Sequence, residues 1–363
     1  MRWPTTPTRA INPGALVPSQ AFGQQRANEE GVGWKDLSGA SNRSDILTDT
    51  GDWPAVFGFN FGQLTSDEST ASGVPAAAAR AAAVGGIVAA HFPTNNPLGC
   101  SPKYKDCQKD PTGQPMKNLL PGRGANAQWR AWLDLVADVC EGLAPTPILF
   151  RPFHEMYLEN WWGAPYCTPA EFIAGWRYTV DYLRNTRGIH NVLLVFAPDQ
   201  PSFSITSPLG YAERWPGDAY VDVAAFDHYD HPPAPHHCAD SNFSNEFLQD
   251  VHMVVEFAEA HGKVPAVAEF GVKEGCGDTL DKDWWTRCFL EPIANDPVAA
   301  RLAYAMTWTN NNGTGGFVPM KGGLTFDNFL QLYQSNHTLF RREWDRVKQP
   351  DELSHQRVPK WDT

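Results

Sequence analysis

Short apolar runs alternate with longer amphipathic segments along most of the chain. The runs are apolar throughout rather than alternately apolar and polar, which is typical of strands covered on both faces of a parallel sheet. Eight segments have this character: AFGQQ (21–25), AVFGFNFG (55–62), GGIVAAHF (85–92), PILFRPF (147–153), NVLLVFAP (191–198), VDVAAFDHY (221–229), VPAVAEFG (264–271) and LAYAMTW (302–308). We predict that each forms a β-strand.

Helical patterns fill several of the intervals between these strands. The segment 125–143, ANAQWRAWLDLVADVCEGL, has apolar residues at spacings of three and four. The segment 168–188 begins with Thr168 as a cap, Pro169 in the first turn and Glu171 three residues after the cap. It ends at Gly188, and a further helix is predicted over residues 247–262.

This alternation of strands and helices predicts an α/β protein with a single (β/α)8 TIM barrel. We expect one catalytic domain over residues 1–363, with the barrel core at about 20–345. An open doubly wound sheet is the alternative. No GxGxxG or GxxxxGK[ST] motif follows an early strand, so the nucleotide-binding forms of that alternative lose support.

The composition disfavours nucleic acid and membrane as partners. Asp and Glu number 41 against 29 Lys and Arg, and the resulting charge of −12 repels nucleic acid and anionic lipid. No apolar stretch reaches membrane-spanning length. The 14 Trp residues exceed what a core needs, and indole rings stack well on sugars. We therefore expect a neutral or cationic substrate, and we also expect a monomer.

Seven cysteines favour an oxidising compartment. Cys100 and Cys107 bracket one turn-rich stretch, and Cys276 and Cys288 bracket another. Cys140 lies in an apolar helical pattern and is expected to be a buried free thiol. The remaining two are in predicted loops: Cys167 and Cys238. Three disulfides, and an N-terminus without an apolar leader, predict the mature form of a secreted protein; seven reduced thiols in a cytosolic enzyme are the alternative.

Polar and aromatic side chains gather at the C-terminal ends of the predicted strands, where (β/α)8 barrels carry their chemistry. They are His91, His154, Glu155, Asp199, Asp227, His228, Tyr229, Glu269 and Trp308. Glu155 follows the fourth strand and Glu269 ends the seventh, on opposite walls of an eight-stranded barrel. Both carboxylates can therefore meet one ligand, as hydrolysis of a glycosidic bond requires. The alternative is that each is a buried, ion-paired carboxylate.

Several motifs, in the same order along the chain, resemble glycoside hydrolase family 26. They are RPFHEM (151–156), WWG (161–163), CTPAEFIAGWRYTVDYLRNTRGIHNVLLVFAPD (167–199), YVDVAAFDHYD (220–230) and AEFGV (268–272). The resemblance runs from about residue 20 to about residue 345. It implies hydrolysis with retention of anomeric configuration, through a covalent glycosyl-enzyme intermediate.

The resemblance also implies roles for individual residues. Glu155 matches the general acid/base of the family, and Glu269 matches its nucleophile. His154 matches the histidine beside the acid, which orients neighbouring groups. Tyr229 matches a tyrosine that hydrogen-bonds the nucleophile. His91, in AAHFPTNNP, is similar to a histidine that contacts the sugar before the cleaved bond.

Aromatic and charged residues complete the expected site. Trp162 and Trp308 are similar to the stacking aromatics of the family, and Trp161 with Trp162 is expected to form a dry, flat wall for a sugar ring. In such a pocket the acid would resist ionising. Arg151 is expected to order the carboxylates, with Asp227 in a supporting role. No cofactor or metal is expected, because the histidines of HYDHPPAPHHC (228–238) fit no regular ligand spacing.

Two stretches depart from the usual text of the family. Glu155 is followed by MYLENWWG, which is one residue shorter than usual and places Glu159 where small polar residues are common. Trp308 is followed by Thr309, where many members have arginine.

The resemblance implies a secreted endo-1,4-β-mannanase acting on mannan, glucomannan, galactomannan or manno-oligosaccharides. The alternatives are an exo-acting mannobiohydrolase, the same mechanism on mixed-linkage β-glucan or β-xylan, and a non-catalytic carbohydrate-binding barrel. A rigid loop over residues 94–120 is a candidate barrier that would favour exo action.

Overall fold

Eight parallel strands close into a ring in the computed structural model, which describes residues 20–25, 44–65, 73–99, 114–200, 210–231, 238, 242–273, 281–310 and 317–348. The strands are β1 (Gln20–Gln25), β2 (Val56–Asn60), β3 (Ile87–Phe92), β4 (Ile148–Pro152), β5 (Val192–Phe196), β6 (Val223–Asp230), β7 (Val264–Val272) and β8 (Tyr304–Thr307). Each strand from β2 to β7 pairs with the next, and β1 pairs with both β2 and β8. The predicted (β/α)8 barrel and its eight strands are confirmed. A short strand, β9 (Thr338–Leu339), pairs with the start of β1.

Helices connect the strands on the outside of the ring. In the part of the chain that the structure describes they are α1 (Asp45–Thr50), α2 (Gly73–Ala83), α3 (Pro115–Asn118), α4 (Asn126–Gly142), α5 (Pro169–Asp181), α6 (Phe243–Ala260), α7 (Glu291–Asn295), α8 (Phe326–Gln334) and α9 (Arg341–Lys348). The predicted capping box of α5 is confirmed. The Thr168 hydroxyl accepts from the Glu171 amide at 3.3 Å, and the Glu171 carboxylate accepts from the Thr168 amide at 3.0 Å.

Two apolar layers surround the strands. The inner layer fills the barrel with side chains such as Ala89, Leu149 and Ala268, while the outer layer packs residues such as Phe150 and Val267 against the helices. Alternation of side chains along each strand explains this division, since neighbouring residues point to opposite faces. The barrel interior is therefore a packed core, and the chemistry is confined to its rim.

The cysteine pairing differs from the sequence-based expectation. Cys288 is joined to Cys238 rather than to Cys276, and Cys167 is a buried free thiol. The prediction of three disulfides is therefore wrong, because too few cysteines remain to form them. Sequence neighbours at Cys276 and Cys288 suggested a local bridge, whereas the fold brings the start of the α6 region against the segment after β7. Cys140 is a buried free thiol, as predicted, and Cys100, Cys107 and Cys276 lie outside the described residues.

Within these described ranges, every helix is too short or too polar to cross a bilayer.

Candidate active site

The C-terminal ends of the strands bring the predicted polar residues together. His91 lies one residue before the end of β3, Arg151 lies near the end of β4, Asp227 and Tyr229 lie on β6, and Glu269 lies on β7. Because all strands of the ring are parallel, these ends share one rim of the barrel. Asp227 and Glu269 are direct partners across the β6–β7 pairing.

A bulge in β7 aims Glu269 into the barrel. The pairing of β6 with β7 advances from Phe226–Val267 to Asp227–Glu269, so β7 contains one extra residue, Ala268. Val267 packs outward against the helices and Ala268 packs inward. In a regular strand the next side chain would point outward again. The extra residue instead keeps Glu269 on the inner face, which is how bulges often re-aim a functional side chain.

Arg151 connects the carboxylates at the centre of the rim. Its Nη1 donates to both oxygens of Asp227, at 2.8 and 2.7 Å, and its Nη2 donates to Oε1 of Glu269. The other oxygen of Glu269 accepts from the Tyr229 hydroxyl at 2.5 Å. Arg151 thus contacts both carboxylates and Tyr229 hydrogen-bonds Glu269, while the roles expected for them and for Asp227 in the reaction stay predictions. Both oxygens of Glu269 are therefore fixed in position.

Glu155 lies beside this network on a turn rather than on a strand. Its backbone adopts the left-handed conformation, with φ at 49°, and its amide donates to the carbonyl of Ala197, at the end of β5, at 2.9 Å. Burial raises the pKa of Glu155 to about 7, and the negative charges of Glu269 and Asp199 add to that shift, while Arg151 opposes it. Glu155 thus holds a proton at near-neutral pH.

Three carboxyl groups and one guanidinium share the rim, and their charges act together with burial on the pKa values of Glu155 and Asp227. Glu155, Asp227 and Glu269 each have a carboxylate oxygen within 4.8 Å of the others, and Arg151 lies among them. Burial also raises the pKa of Asp227, but the guanidinium that binds both of its oxygens opposes this. The guanidinium donates to Asp227 and to Glu269, but its single positive charge cannot offset two carboxylates. The negative charge that remains adds to the burial that raises the pKa of Glu155 to about 7.

Two histidines and a tryptophan line the rim next to Glu155. The ring centroid of His91 lies 5.7 Å from that of His154 and 5.4 Å from that of Trp308. Both histidines are buried, and Trp308 is partly exposed. Burial, reinforced by the charge of Arg151, lowers the pKa of His154 well below its ordinary value, so this ring is neutral. Trp308 is the partly exposed ring of this group, and its stacking on a sugar stays a prediction.

The predicted tryptophan wall is wrong for Trp161 and Trp162. Their exposed fractions are 0% and 1%, so neither indole offers a face to a sugar. The Trp161 ring N–H donates to the carbonyl of Thr94 at 3.0 Å, and the Trp162 ring N–H donates to the carbonyl of His154 at 2.8 Å. These residues pack beneath the turn that carries Glu155 and hold it from below. Adjacent aromatic residues after the acid are typical both of a sugar-stacking surface and of core packing. Only the fold distinguishes these two roles.

Two charged residues near the site, Asp199 and Lys273, were given no role in the sequence analysis. Asp199 follows β5 and forms an isolated bridge with Asp227, and its charge helps to raise the pKa of Glu155. The strand-end position of Asp199 was the available signal. The Lys273 ammonium lies 4.7 Å from the centroid of the Tyr229 ring. It follows the predicted end of β7, where no pattern distinguished it. In the histidine-rich stretch 228–238, where no metal site was expected, residues 232–237 lie outside the described residues.

A parallel (β/α)8 barrel with a neutral carboxylic acid beside an ion-paired carboxylate has the architecture of a glycoside hydrolase. Comparison with known proteins identifies the group within that class. The family model described as Glycosyl hydrolase family 26 matches residues 19–287, and the chain belongs to this family.

Characterised relatives cover most of this chain. It is 31% identical over 345 residues to a mannan endo-1,4-beta-mannosidase of Bifidobacterium adolescentis; the alignment covers 88% of this chain and 32% of that protein. It therefore spans about a third of the length of that relative. The endo-beta-1,4-mannanase of Cellulomonas fimi superposes with a TM-score of 0.78 at 30% identity, covering 91% of this chain and 74% of that one. The catalytic domain of a Bacillus sp. JAMB-750 endo-beta-1,4-mannanase gives the same TM-score at 31% identity, covering 90% and 88%.

Proposed function

We propose that this chain is a retaining glycoside hydrolase that cleaves β-1,4-mannosidic bonds. The observation that carries the proposal is the spacing of the carboxylates, since oxygens of Glu155 and Glu269 lie within 4.8 Å of one another. Carboxyl groups about 5–5.5 Å apart are typical of retaining enzymes, whereas inverting enzymes leave roughly 6.5–9.5 Å for a water molecule. The raised pKa of Glu155, about 7, supports the assignment of this group as the acid.

In the first step Glu269 is the nucleophile and Glu155 is the acid. A carboxylate oxygen of Glu269 forms a bond to the anomeric carbon of the sugar as the glycosidic C–O bond breaks. The Glu155 carboxyl group transfers its proton to the departing oxygen, which leaves as a hydroxyl group of the released chain. Tyr229 and Arg151 hold Glu269 during this step, through the contacts to its two oxygens.

In the second step Glu155, now ionised, acts as the base. It removes a proton from a water molecule, whose oxygen attacks the anomeric carbon and breaks the ester bond to Glu269. The sugar leaves with its original configuration, because two inversions have occurred at the same carbon. Glu155 is again protonated and Glu269 is again a carboxylate, so the cycle is closed.

The substrate class follows from the relatives. The Bifidobacterium and Cellulomonas proteins are named as enzymes of β-1,4-mannan hydrolysis, and this chain resembles both. We therefore propose mannan, glucomannan, galactomannan or manno-oligosaccharides as substrate, with endo action. Exo action, and activity on mixed-linkage β-glucan or β-xylan, are the competing outcomes of the test below.

The proposal includes a monomeric enzyme that works outside the cell without metal or cofactor. The Cys238–Cys288 disulfide supports an oxidising compartment. Arg151 supplies positive charge among the three carboxylates, where a metal ion would otherwise compensate them. Unchanged activity after dialysis against EDTA, and recovery of the protein from the culture medium of its native host, are the expected results.

Substitution of the two carboxylates tests the chemistry. Glu155→Gln and Glu269→Gln keep the side-chain volume, and each is expected to lower turnover of soluble mannan by about 10³-fold or more. Glu141→Gln is the matched control, since Glu141 is an exposed glutamate on α4. Reducing-sugar release from mannans, mixed-linkage β-glucan and xylan provides the readout. Activity within about tenfold of the unmodified protein in either active-site variant would contradict the proposal.

Early products from mannohexaose separate endo from exo action. Endo cleavage yields a spread of chain lengths at low conversion, and mannobiose alone would indicate an exo-acting mannobiohydrolase. Binding of mannan without any product would favour a carbohydrate-binding barrel.

A further inference from the structure

The turn that carries Glu155 has a backbone that must be held in place. Phe153 and Glu155 have φ angles of 51° and 49°, in the left-handed region. Residues other than glycine cost about 1–3 kcal/mol there, and they persist only where the surroundings enforce the conformation. The amide of Glu155 is fixed by Ala197, and Met156 is fully buried with its carbonyl bound by the amide of Ala164. The next residue along the chain is Tyr157, whose side chain contacts a different segment.

Tyr157 joins the turn to the connection between β5 and β6. Its hydroxyl donates to the carbonyl of Gly210, and its ring lies under the guanidinium of Arg214, with the Arg214 Cζ 5.6 Å from the ring centroid. The stretch after Glu155 is also where the sequence departs from the usual text of its family. Tyr157 therefore gives this chain an anchor that the family motif does not specify.

Arg214 ties three segments together. Its exposed fraction is 2%, its Nη2 donates to the carbonyl of Cys167 at 2.9 Å, and its Nη1 lies 3.3 Å from the Cys167 sulfur. Its Cζ lies 5.6 Å from the ring of Phe172, on α5, as well as from the ring of Tyr157. A cation over an aromatic face is stabilised most when both are removed from water. Arg214 is thus packed between the turn of the acid and the start of α5.

The partners of Arg214 indicate that it fixes the position of its neighbours rather than neutralising a carboxylate. Among the described residues no carboxylate forms an ion pair with it, and its Nε has no hydrogen-bond partner. Burying a cation in this way is costly, and an apolar side chain would fill the same space more cheaply. What an apolar residue does not supply is directional contact with Tyr157, Phe172 and the Cys167 carbonyl at once.

We propose that Arg214 and Tyr157 form a clamp that positions the carboxyl group of Glu155 for proton transfer to the leaving group. This inference rests on the proposed glycosidase function. Neither residue contacts the reacting atoms; they are positioning residues that act through the backbone of residues 155–157. Loss of the clamp should therefore lower kcat/KM only for substrates that need the acid, namely those whose poor leaving group must be protonated.

Two substrates of different leaving-group ability separate this role from a general loss of structure. Manno-oligosaccharides need protonation of the departing oxygen, whereas 2,4-dinitrophenyl β-mannobioside does not. In Tyr157→Phe and Arg214→Met we expect kcat/KM for mannopentaose to fall by about 10–100-fold, because misplacement of a catalytic group by about 1 Å costs up to that much. For the dinitrophenyl substrate we expect a change below about threefold. Arg214→Lys should recover part of the loss.

Arg130→Met provides the control. Arg130 also lies over an aromatic ring, with its Cζ 5.2 Å from the Tyr182 centroid, but on exposed α4 away from the rim. Arg130→Met should leave kcat/KM unchanged for both substrates. Equal losses on the two substrates in Tyr157→Phe would overturn the clamp, and so would unchanged kcat/KM for mannopentaose. If Arg214→Met does not fold, Tyr157→Phe carries the test, since it removes one hydroxyl group. An unmodified protein that cleaves neither substrate would contradict the proposed function instead.

Discussion

The two glutamates at the rim of the barrel are close in space but differ in everything around them. Glu269 lies on a strand, and its oxygens are held by Arg151 and Tyr229. Glu155 lies on a left-handed turn, and burial, together with the charges of Glu269 and Asp199, raises its pKa to about 7. One sequence thus places the same side chain in two different environments.

The surroundings of the two glutamates, rather than their residue type, determine their chemical roles. A carboxylate that is paired with a guanidinium is stabilised in its charged form, and a buried carboxyl group near other negative charges is stabilised in its neutral form. A nucleophile needs the first environment and a general acid needs the second. The fold provides both by placing one glutamate on β7 and the other after β4.

The largest effect is expected from removing Glu269, the ion-paired glutamate, because cleavage of natural and of activated substrates depends on it. Glu269→Ala should lower kcat/KM by about 10⁴-fold or more for mannopentaose and for 2,4-dinitrophenyl β-mannobioside alike. Sodium azide should restore turnover of the dinitrophenyl substrate, with an α-mannosyl azide as product. Restoration with a β-configured product would contradict the role of Glu269.

A smaller effect, selective for one kind of substrate, is expected from removing Glu155, the glutamate with the raised pKa. Glu155→Ala should lower kcat/KM for mannopentaose by about 10²–10⁴-fold, the usual contribution of general acid catalysis. The activated aryl substrate needs no proton and should stay within about tenfold of the unmodified protein. Equal losses on both would remove the distinction between the two glutamates.

Arg151→Met should break the pairing that distinguishes the environments. It leaves the buried carboxylates of Asp227 and Glu269 without a counter-charge, which costs about 3–5 kcal/mol of unfolding free energy. The control is Arg301→Met, which removes an exposed pair with Glu259 at 2.9 Å and is expected to cost about 0–1 kcal/mol. Urea denaturation measures both, and similar small losses would contradict the buried network.

The smallest effect is a pH dependence. The folded chain binds the Glu155 proton more tightly than the unfolded chain, since its pKa rises from 4.5 to about 7 on folding. Its contribution to the unfolding free energy is complete below pH 4.5 and is lost as the pH rises through about 7. Glu155→Gln should remove this part of the slope between these values. An identical slope in thermal denaturation of both proteins would show that Glu155 does not hold the proton.

Most of the fold was predictable because buried parallel strands have a strong local signature. Strands β2 to β8 contain apolar runs, whereas β1, QAFGQQ, is half glutamine. The α5 capping box depends on Thr168 and Glu171, three residues apart. The strand-end rule then placed Glu155 and Glu269 at one rim, since side chains at the ends of parallel strands converge whatever their separation along the chain.

What the sequence did not reveal depends on contacts between distant segments. The bulge at Ala268 is set by the pairing of β6 with β7, and an alanine in an apolar run carries no sign of it. Trp161 and Trp162 were expected to face a sugar, but Thr94 and the His154 carbonyl accept their N–H groups inside the core.

Trapping the covalent intermediate tests the central claim most directly, namely that Glu269 attacks the sugar while Glu155 supplies the proton. The protein is incubated with 2-deoxy-2-fluoro-β-mannobiosyl fluoride, digested with pepsin, and the labelled peptide is sequenced by mass spectrometry. The account predicts one glycosyl group attached to Glu269, in a protein that has lost its activity. A label on Glu155, or an active protein that releases the α-anomer first and carries no label, would contradict it.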